Sequence, residues 1–416
     1  MRITTPDPSS RVELSTIDLY DPSVFCDGDP HLSWQTLRDE QPVFWQELPD
    51  GRGFWSVTKH NDCCRVLGDY GNFTSERGAI LKMLDIRDPA GGHQMAVSDP
   101  PRHTQIRAPL QEIMTRTALL PYVPRLRQAT RRLLEPMLDT RGWDLGAAMT
   151  ALPMIVSGTL MGLPEEDYGD LVRWGMMTVA PDDEEFQVDD DPNETLHQAH
   201  RDLFAYFGRH VRRRRRHEPD IGFGDLIGRL LTLKVDDSRL GEGDVVSNCY
   251  SLLLGANVNT GHVITSAILR LFDDAEQYDQ WASDPACLRS GIREALRWSS
   301  PVVHFLRYAV DDVEIRGTRI LKGQAVVAWI ASANRDEEVF DDPYRFDIAR
   351  KPNKEVAFGY GPHRCIGASA ALLTLELTLR EIFTKVARFE QVDEPAHLRS
   401  NFTGGIKHLR VTAHAR

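Results

Sequence analysis

One cysteine of this sequence lies in a setting that favours chemistry. Cys365 belongs to the segment Phe358–Gly367, which reads FGYGPHRCIG and precedes the alanine- and leucine-rich helical segment Ala368–Leu379. A cysteine at a helix N-terminus meets unpaired N–H groups and the positive end of the helix dipole, and both favour thiolate over thiol. The pattern therefore indicates a ligating thiolate. The alternative is a buried cysteine in a glycine-rich turn, which is common for a lone cysteine.

The residues around this cysteine suit a flat ligand that carries carboxylates. Gly359 and Gly361 allow a tight turn, and Gly367 allows a flat group to approach the backbone closely. His363 and Arg364 supply positive charge beside such a group. A thiolate ligand pushes electron density onto iron and favours cleavage of an O–O bond. These residue types are therefore mutually consistent with iron–thiolate chemistry.

The segment resembles the haem-binding loop of the cytochromes P450, F-x-x-G-x-[HR]-x-C-x-G, and it meets every defined position. The resemblance extends over nearly the whole chain. It implies haem b (iron protoporphyrin IX) as the cofactor, with Cys365 as the ligand of the haem iron and with Phe358, Gly359 and Gly367 beside the haem. It also implies the cytochrome P450 fold, mainly α with small β-sheets, as a single haem-thiolate oxygenase domain over residues 1–416.

A Glu-x-x-Arg pair lies on a predicted helix. Glu294 and Arg297 are three residues apart, which puts both side chains on one helix face. The alternative is an ordinary surface ion pair, which contributes little to stability. The resemblance implies that the pair stabilises the core near the haem and that Arg345, from the segment Pro343–Phe346, completes it. We interpret these three residues as structural, not catalytic.

Two histidines and two arginines are candidates to bind carboxylates. His103 and Arg107 are four residues apart near the start of a predicted helix, so they share a face. Alone, such a pair is more often a solvated helix face. The resemblance implies that it holds a haem propionate, and that Arg307 and His363 are further propionate contacts. The forked guanidinium group suits carboxylates because it can bind both oxygens.

A predicted long helix carries the sequence LGANVNTG over Leu254–Gly261. The resemblance implies that Thr260 stabilises bound dioxygen and organises a water relay, and Asn257 and Asn259 beside it are the other candidate catalytic residues. Three neighbours depart from the usual [AG]-G-x-[DE]-T-[TS]: Asn257 replaces glycine, Asn259 replaces the carboxylate, and Gly261 replaces the second hydroxyl. A carboxylate can accept and release a proton, whereas an amide can only orient a water. Either the asparagines merely adapt the groove beside the iron, or weakened proton delivery favours radical chemistry such as bond formation within the substrate.

The substrate pocket is assigned by the resemblance. Most of its segments are apolar, as expected for an organic small-molecule substrate. The sequence leaves open whether His304 faces the substrate, a propionate or solvent. The assigned residues are Ala256, Val302, Val303, His304 and Phe402, together with the loop Ile80–Val97.

Composition and charge bear on partners and compartment. The chain has 416 residues and a formal net charge of −12, and phosphate binding needs a basic face, so we expect no nucleic-acid partner. Six cysteines without paired spacing suit a reducing cytoplasm. We see no apolar N-terminal segment and no run of about 18 apolar residues. The sequence therefore predicts a cytoplasmic enzyme without a membrane span.

An oxygenase of this kind needs a supply of electrons. We expect ferredoxin with ferredoxin reductase, the acidic ferredoxin docking on the thiolate side, where Arg350, Lys351, Lys354 and Arg364 are close in sequence. The predicted function is that of a haem-thiolate monooxygenase, which uses O2 and two electrons to oxidise an apolar organic small molecule in secondary-metabolite biosynthesis. The alternatives are a cytochrome P450 that catalyses oxidative ring closure or coupling, and a non-catalytic haem-binding protein.

The elements that must position these residues are mostly helices, because apolar residues recur at helical spacing from about Arg102 to about Ser300. The absence of alternating βαβ units argues against a dinucleotide-binding fold. The main predictions are helices over Thr104–Glu135, Ala148–Met161, Glu165–Thr178, Glu194–Arg216 and Gly241–Asp273, strands within Arg307–Arg316 and Arg319–Ala331, and a hairpin over Ser400–Thr412.

Two charged runs have simple interpretations. Arg212–Arg216, followed by His217, is favoured as the solvated end of a helix, where cations suit the dipole, over a nucleic-acid or membrane patch. The acidic stretch Pro181–Pro192 is predicted to be a mobile loop between two helices.

Overall fold

The computed structural model describes residues 1–7, 9–139, 141–216 and 225–416. Within these ranges the protein is mainly α-helical with five small β-sheets, as the sequence predicts. The basic run forms the last turn of a long helix that ends at Arg216. His217 lies outside the described residues.

Five of the helices begin at an aspartate that caps the helix N-terminus. At five N-termini, an aspartate side chain accepts a hydrogen bond from a backbone N–H of the first turn, which satisfies a donor that the helix leaves free. The helices of the described residues are α1 (Ser23–Cys26), α2 (Pro30–Glu40), α3 (His60–Gly68), α4 (Arg102–Ile113), α5 (Arg116–Leu119), α6 (Val123–Leu134), α7 (Leu145–Met161), α8 (Tyr168–Val179), α9 (Pro192–Arg216), α10 (Leu226–Thr232), α11 (Glu242–Asn257), α12 (Thr260–Arg270), α13 (Ala275–Ser283), α14 (Pro285–Ser299), α15 (Ile330–Ala333) and α16 (Ala368–Lys385).

The strands form one five-stranded sheet and smaller ones. They are β1 (Val43–Glu47), β2 (Gly53–Val57), β3 (Phe73–Thr74), β4 (Trp143–Asp144), β5 (Lys234–Val235), β6 (Ser238–Arg239), β7 (His304–Ala309), β8 (Val313–Ile315), β9 (Thr318–Ile320), β10 (Ala325–Trp329), β11 (Val386–Gln391), β12 (Ala396–His397), β13 (Ile406–His408) and β14 (Arg410–Ala415). The five-stranded sheet has the order β1-β2-β10-β7-β3, and its β10 and β2 are parallel. This sheet carries His304 and Arg307 on β7.

The predicted hairpin over Ser400–Thr412 is wrong. Strand β13 pairs with β12, whereas β14 pairs with β11 and β4. The two strands separate at Leu409, whose N–H donates to Asp144 Oδ1 at 3.1 Å and whose carbonyl accepts from the N–H of Leu145 at 2.9 Å. Because the first residues of α7 take both backbone groups of Leu409, β14 continues into a different sheet.

Two predicted helices are interrupted. The segment predicted as one helix over Gly241–Asp273 divides into α11 and α12, with Val258 and Asn259 between them. The segment Thr104–Glu135 divides into α4, α5 and α6, and Pro121 lies in the short turn before α6. A proline lacks the N–H that a continuing helix would need. The first interruption has no proline and lies in the run Asn257–Thr260, whose residue types have low helix propensity.

The helices α11 and α12 lie in the core. The segment Glu242–Arg270 is long and apolar enough to cross a membrane by length and composition, but 67% of its most apolar stretch is buried inside the protein. Apolar residues of α12 pack with those of α7, α14 and α16 in one large cluster. The apolar character of this segment therefore reflects core packing.

The acidic stretch Pro181–Pro192 forms the connection between α8 and α9, as predicted, and ion pairs attach it to the C-terminal strands. Asp183 is buried and accepts from Lys407 Nζ at 2.6 Å. His408 Nε2 lies 2.9 Å from Glu185 Oε2, while its Nδ1 lies 2.6 Å from Asp144 Oδ2. These contacts hold the loop against β13.

The Glu-x-x-Arg pair is buried, not a surface ion pair. Glu294 and Arg297 are both fully buried, and Arg297 Nη2 and Nε donate to the two oxygens of Glu294 at 2.7 and 2.8 Å. The arginine that joins them is Arg350, whose Nε donates to Glu294 Oε1 at 3.1 Å. The prediction of Arg345 in this role is wrong. Its side chain is exposed because the neighbouring Phe346 takes the inward direction, and only its carbonyl accepts from Arg297.

Candidate active site

The loop around Cys365 is held in a tight turn by its own backbone. The N–H of Cys365 donates to the carbonyl of Phe358 at 2.8 Å. Gly359 and Gly361 have φ values of 72° and 70°, a left-handed conformation that favours glycine. A side chain at Gly361 would also meet the backbone of Gly68 at 2.6 Å. The two glycines thus do what the sequence predicts, and Gly361 additionally lets the loop pack on α3.

The thiol of Cys365 experiences opposing influences. Burial raises its pKa, whereas the N–H of Gly367 and the charges of Arg107 and Arg364 lower it. Arg107 Nη2 donates to the carbonyl of Arg364 at 2.6 Å, which holds this cation beside the cysteine loop. Burial is the largest of these influences, so the helix N-terminus alone does not make the thiolate. A bound metal ion would, because a coordinating thiol loses its proton.

The four predicted carboxylate-binding residues converge. The rings of His103 and His363 have centroids 4.3 Å apart. Burial lowers the pKa of His103 to about 3, with further lowering by the charges of His363, Arg107 and Arg307. His363 Nε2 lies 3.9 Å from Asp99 Oδ1. Residues from α4, β7 and the cysteine loop thus form one cluster, in which His103 and Arg307 are buried, Arg107 and His363 are partly buried, and the two arginines carry the positive charge.

This cluster has polar groups that the described residues do not satisfy. Arg307 is 3% exposed, forms no ion pair within the described chain, and its Nη1 donates to the carbonyl of Leu306. Burial lowers its pKa to about 10. Both ring nitrogens of His103 are buried without a hydrogen-bond partner. Buried cations and donors are costly unless they are paired, so a ligand that brings carboxylates fits this site.

The asparagines before Thr260 differ in their surroundings. Asn257 is buried, and its Oδ1 accepts from Ser157 Oγ on α7 at 2.5 Å while its Nδ2 lies 3.1 Å from Met154 Sδ. This side chain is committed to helix packing, so the geometry speaks against the predicted catalytic role of Asn257. Asn259 precedes α12 without capping it, and its Oδ1 is buried without a partner.

Helix packing explains why residue 261 is a glycine, and the sequence did not reveal this constraint. A Cβ at this position would overlap the backbone carbonyl oxygen of Met149 on α7 and would lie 2.5 Å from its carbonyl carbon. No side chain fits there, so the hydroxyl expected after Thr260 is excluded by helix packing. The only available signal was the glycine itself, because the approach of α7 is a long-range contact.

The predicted pocket residues do not all lie together. Phe402 packs against a small apolar cluster that includes Val258, beside Thr260, and Phe186 of the acidic loop. Val303 is fully buried in a different cluster, on the side of the five-stranded sheet. Ala256 and Val302 are half-buried, and Val302 forms a β-bridge with Thr403. The structure thus brings Phe402 close to the break between α11 and α12 but places Val303 in the core.

His304 faces neither solvent nor the carboxylate-binding cluster. It is fully buried, and its Nε2 accepts from the N–H of Leu81 at 2.9 Å. Its Nδ1 lies 3.0 Å from the carbonyl oxygen of Asn401. Both ring nitrogens are therefore occupied by backbone groups, so neither is available to hydrogen-bond a substrate, and none of the three possibilities that the sequence left open holds.

The predicted docking patch keeps three of its four cations. Lys351, Lys354 and Arg364 are exposed, and Arg364 belongs to the cysteine loop itself. The side chain of Arg350 is 9% exposed and donates to Glu294. Arg350 is therefore a structural residue, because its guanidinium is occupied inside the protein.

Known proteins match the whole length of this chain. The family model described as Cytochrome P450 matches residues 286–398. Linalool 8-monooxygenase of Pseudomonas putida is 32% identical over 405 residues, which cover 95% of this chain and 98% of that protein. Cytochrome P450 NovI of Streptomyces niveus is 31% identical over 412 residues, covering 98% of this chain and 99% of that protein.

A solved structure agrees with these relatives. The crystal structure of P450 OxyD, which is involved in the biosynthesis of vancomycin-type antibiotics, superimposes with a TM-score of 0.83 at 32% identity. The superposition covers 96% of this chain and 100% of that one. Sequence identity over nearly the full length and a shared fold lead to one conclusion: this chain belongs to the cytochrome P450 family of monooxygenases.

Proposed function

We propose that this cytochrome P450 monooxygenase uses dioxygen and two electrons to oxidise an apolar organic small molecule. The observation that carries the proposal is a pair of buried groups: the Arg307 cation, which has no ion-pair partner within the described residues, and the two unpartnered ring nitrogens of His103. Arg107, on the same helix as His103, donates to the loop of Cys365. A cofactor with carboxylates and a thiolate-ligated metal would use all of these groups together.

We propose haem b as that cofactor. Cys365 would ligate the iron, and His103, Arg107, Arg307 and His363 would hold the propionates. When bound, a thiolate-ligated haem activates dioxygen for oxidation of the substrate. The propionate contacts match the chemistry of the site, because each carboxylate would bring an acceptor to a cation or imidazole that lies in a poorly hydrated environment.

Asn259 and Thr260, at the start of α12, would control the delivery of protons to the site. The hydroxyl of Thr260 makes no side-chain hydrogen bond within the described residues, so it is free to orient a water molecule. The unpartnered Oδ1 of Asn259 can accept a hydrogen bond from that water but cannot release a proton as a carboxylic acid would. We infer that proton delivery here depends on Thr260 and water.

This feature favours a second candidate function, oxidative ring closure or coupling. We propose that weakened proton delivery accompanies radical chemistry within the substrate in place of simple hydroxylation. The test is the variant Asn259→Asp, which restores the acid at nearly the same volume. We expect a higher proportion of hydroxylated product and less uncoupled peroxide, measured by product analysis and peroxide release. Unchanged ratios would refute the second candidate and leave hydroxylation as the reaction.

The substrate class follows from the apolar lining and the relatives. Phe402 and the residues around Val258 offer apolar contacts near Thr260. One relative is a linalool monooxygenase and another acts in antibiotic biosynthesis. We propose a secondary metabolite of mainly apolar character as the substrate, in a cytoplasmic enzyme. A difference-spectrum screen of a compound library would identify candidates, because substrate binding that displaces water from the iron shifts the Soret band.

We propose ferredoxin with ferredoxin reductase as the electron source. The docking surface would be Lys351, Lys354 and Arg364, near the cysteine loop. Reversing these charges should slow reduction by an acidic ferredoxin and reduce its salt dependence, because rim charges act mainly on association rate. Equal rates for wild type and variants in stopped-flow reduction would place the docking surface elsewhere.

The test of the main proposal is spectroscopic. Reduced protein with carbon monoxide should show the strongly red-shifted Soret band of a thiolate-ligated haem, and Cys365→Ser should lose it. The variant Cys249→Ser is the matched control, because that cysteine is buried in the helical core. Absence of the band in wild type would refute the iron ligand. A band without oxidation of any screened binder, with a surrogate ferredoxin system, would favour a non-catalytic haem-binding protein.

A further inference from the structure

His304 connects two loops that come from distant parts of the chain. Its Nε2 accepts from Leu81 N–H, at the start of the 3-10 turn Leu81–Met83, and its Nδ1 lies against the carbonyl oxygen of Asn401. An Nε2 that accepts must be unprotonated, so the proton of the neutral ring is on Nδ1 and is donated to Asn401. One neutral tautomer therefore makes both hydrogen bonds.

The ring is also fixed by aromatic neighbours. It packs edge-on against Trp329, with centroids 5.2 Å apart, and against Phe402, with centroids 5.6 Å apart. Burial lowers the pKa of His304 to about 4, so the ring is neutral around pH 7 and keeps its acceptor. The orientation of the imidazole is thus determined by four independent contacts.

Both loops contact α11 or the break between α11 and α12. In the loop that begins with the Leu81 turn, the N–H of Met95 donates to Asn248 Oδ1 on α11 at 2.9 Å. In the other loop, Phe402 packs in the same cluster as Val258, beside Thr260. His304 therefore joins two segments, one of which contacts α11 through Met95 and the other the break before α12 through Phe402.

We propose that His304 is a positioning residue for substrate specificity: it fastens the Leu81 turn to the Asn401–Phe402 segment, so that the two form one wall of the substrate pocket with a fixed shape. The residue does not touch the substrate. The inference rests on the proposed function, since a wall matters only if an organic molecule binds beside Thr260.

Each loop is also attached to the sheet by backbone hydrogen bonds that do not involve this side chain. Leu306 N–H, on β7, donates to the carbonyl of Ala79 at 2.8 Å, and Val303 N–H, just before β7, donates to that of Phe402 at 2.9 Å. Variants of His304 keep these bonds, so they should retain the sheet while the two loops lose their direct link.

Three variants separate the two hydrogen bonds. His304→Asn places an amide N–H near the Nδ1 position and can keep the bond to Asn401. His304→Gln places an amide oxygen near the Nε2 position and can keep the bond from Leu81. His304→Phe keeps the ring volume and makes neither. The matched control is His31→Phe, because His31 is also fully buried but its ring nitrogens have no hydrogen-bond partner.

The readout is the binding of two iron ligands to the holoenzyme, followed by spectral titration. Imidazole is too small to reach the loops and reports access to the iron, whereas 4-phenylimidazole also fills the space beyond it. The ratio of the two dissociation constants isolates the shape of the pocket. We expect His304→Phe to change this ratio about tenfold, since two hydrogen bonds are lost. His304→Asn and His304→Gln should recover part of the change, and His31→Phe should leave it unaltered.

The outcomes distinguish this inference from the proposed function. A wild-type protein without the red-shifted carbon monoxide band would refute the haem-thiolate site itself. A normal band in all variants, with a ratio that stays within about threefold of wild type in His304→Phe, would overturn the positioning role. If His304→Phe does not fold, hydrogen exchange in His304→Gln and His304→Asn decides the question. The role requires faster exchange in both 79–85 and 400–404, and unchanged exchange in these segments would overturn it.

Discussion

The contact between α12 and α7 makes a sharp prediction at Gly261. In the variant Gly261→Ala, the new methyl group would overlap the carbonyl oxygen of Met149 and lie 2.5 Å from its carbonyl carbon. Carbon atoms in contact are normally about 3.5 Å apart. The two helices would have to separate by about 1 Å, because the obstructing atoms are backbone and cannot rotate away.

The cost can be estimated from related substitutions. Overpacking a well-packed interior costs about 1–3 kcal/mol, and occasionally more. Replacing glycine by alanine in a helix returns about 0.5–1 kcal/mol through reduced backbone entropy. Since the clash is with backbone, we take the upper end of the first range and expect the free energy of unfolding to fall by about 2 kcal/mol.

The matched control is Gly243→Ala. Gly243 is the second residue of α11 as Gly261 is of α12, but an added Cβ there meets no atom within 4 Å. The control should be neutral or slightly stabilising. Guanidinium unfolding of both holoenzymes, followed by far-ultraviolet circular dichroism, would give the two denaturant midpoints. Equal midpoints would refute the contact between Gly261 and α7.

Two further predictions concern the ion pairs. Arg350→Met should lower the free energy of unfolding by about 2 kcal/mol, because the fully buried Glu294 loses one cation but keeps Arg297. Arg345→Met should change the free energy of unfolding by less than about 0.5 kcal/mol. Denaturant midpoints measure both effects. For His408, burial alone would lower the pKa, but hydrogen bonds to two carboxylates outweigh burial and raise it. The stabilisation that protonated His408 contributes to the folded state is therefore complete below the unfolded-state pKa of about 6.5. It is lost as the pH rises through the folded-state pKa. His408→Asn should flatten that part of the stability–pH curve, measured by thermal unfolding in a buffer series.

Each of these has a contrary outcome. A larger loss in Arg345→Met than in Arg350→Met would reverse the assignment of the third arginine at Glu294. A stability–pH curve that is the same for wild type and His408→Asn would mean that the imidazole contributes no pH-dependent stability. The effect is expected to be small, because the His408 side chain is 42% exposed and solvent screens its charges.

The sequence by itself determined the features that local patterns encode. The glycine-rich segment with Cys365 specifies its own turn, because the φ values of Gly359 and Gly361 are open mainly to glycine. Helical periodicity and aspartate caps likewise predict most helices, since both act within a few residues. The grouping of His103 with Arg307 came from the family resemblance, because the spacing of the two residues in the sequence does not indicate that they are close in space.

The tertiary structure decided which side chains meet. The sequence pointed to Arg345 as the partner of Glu294, and only the folded chain shows that Arg350 reaches Glu294 while Arg345 is exposed. The bonds of Asn257 to α7 and of His304 to two distant loops depend on packing across the fold. The break before Thr260 has only a weak local signal, a short run of residues with low helix propensity. The side-chain contacts named above join residues between 56 and 223 positions apart, so no local pattern can specify them.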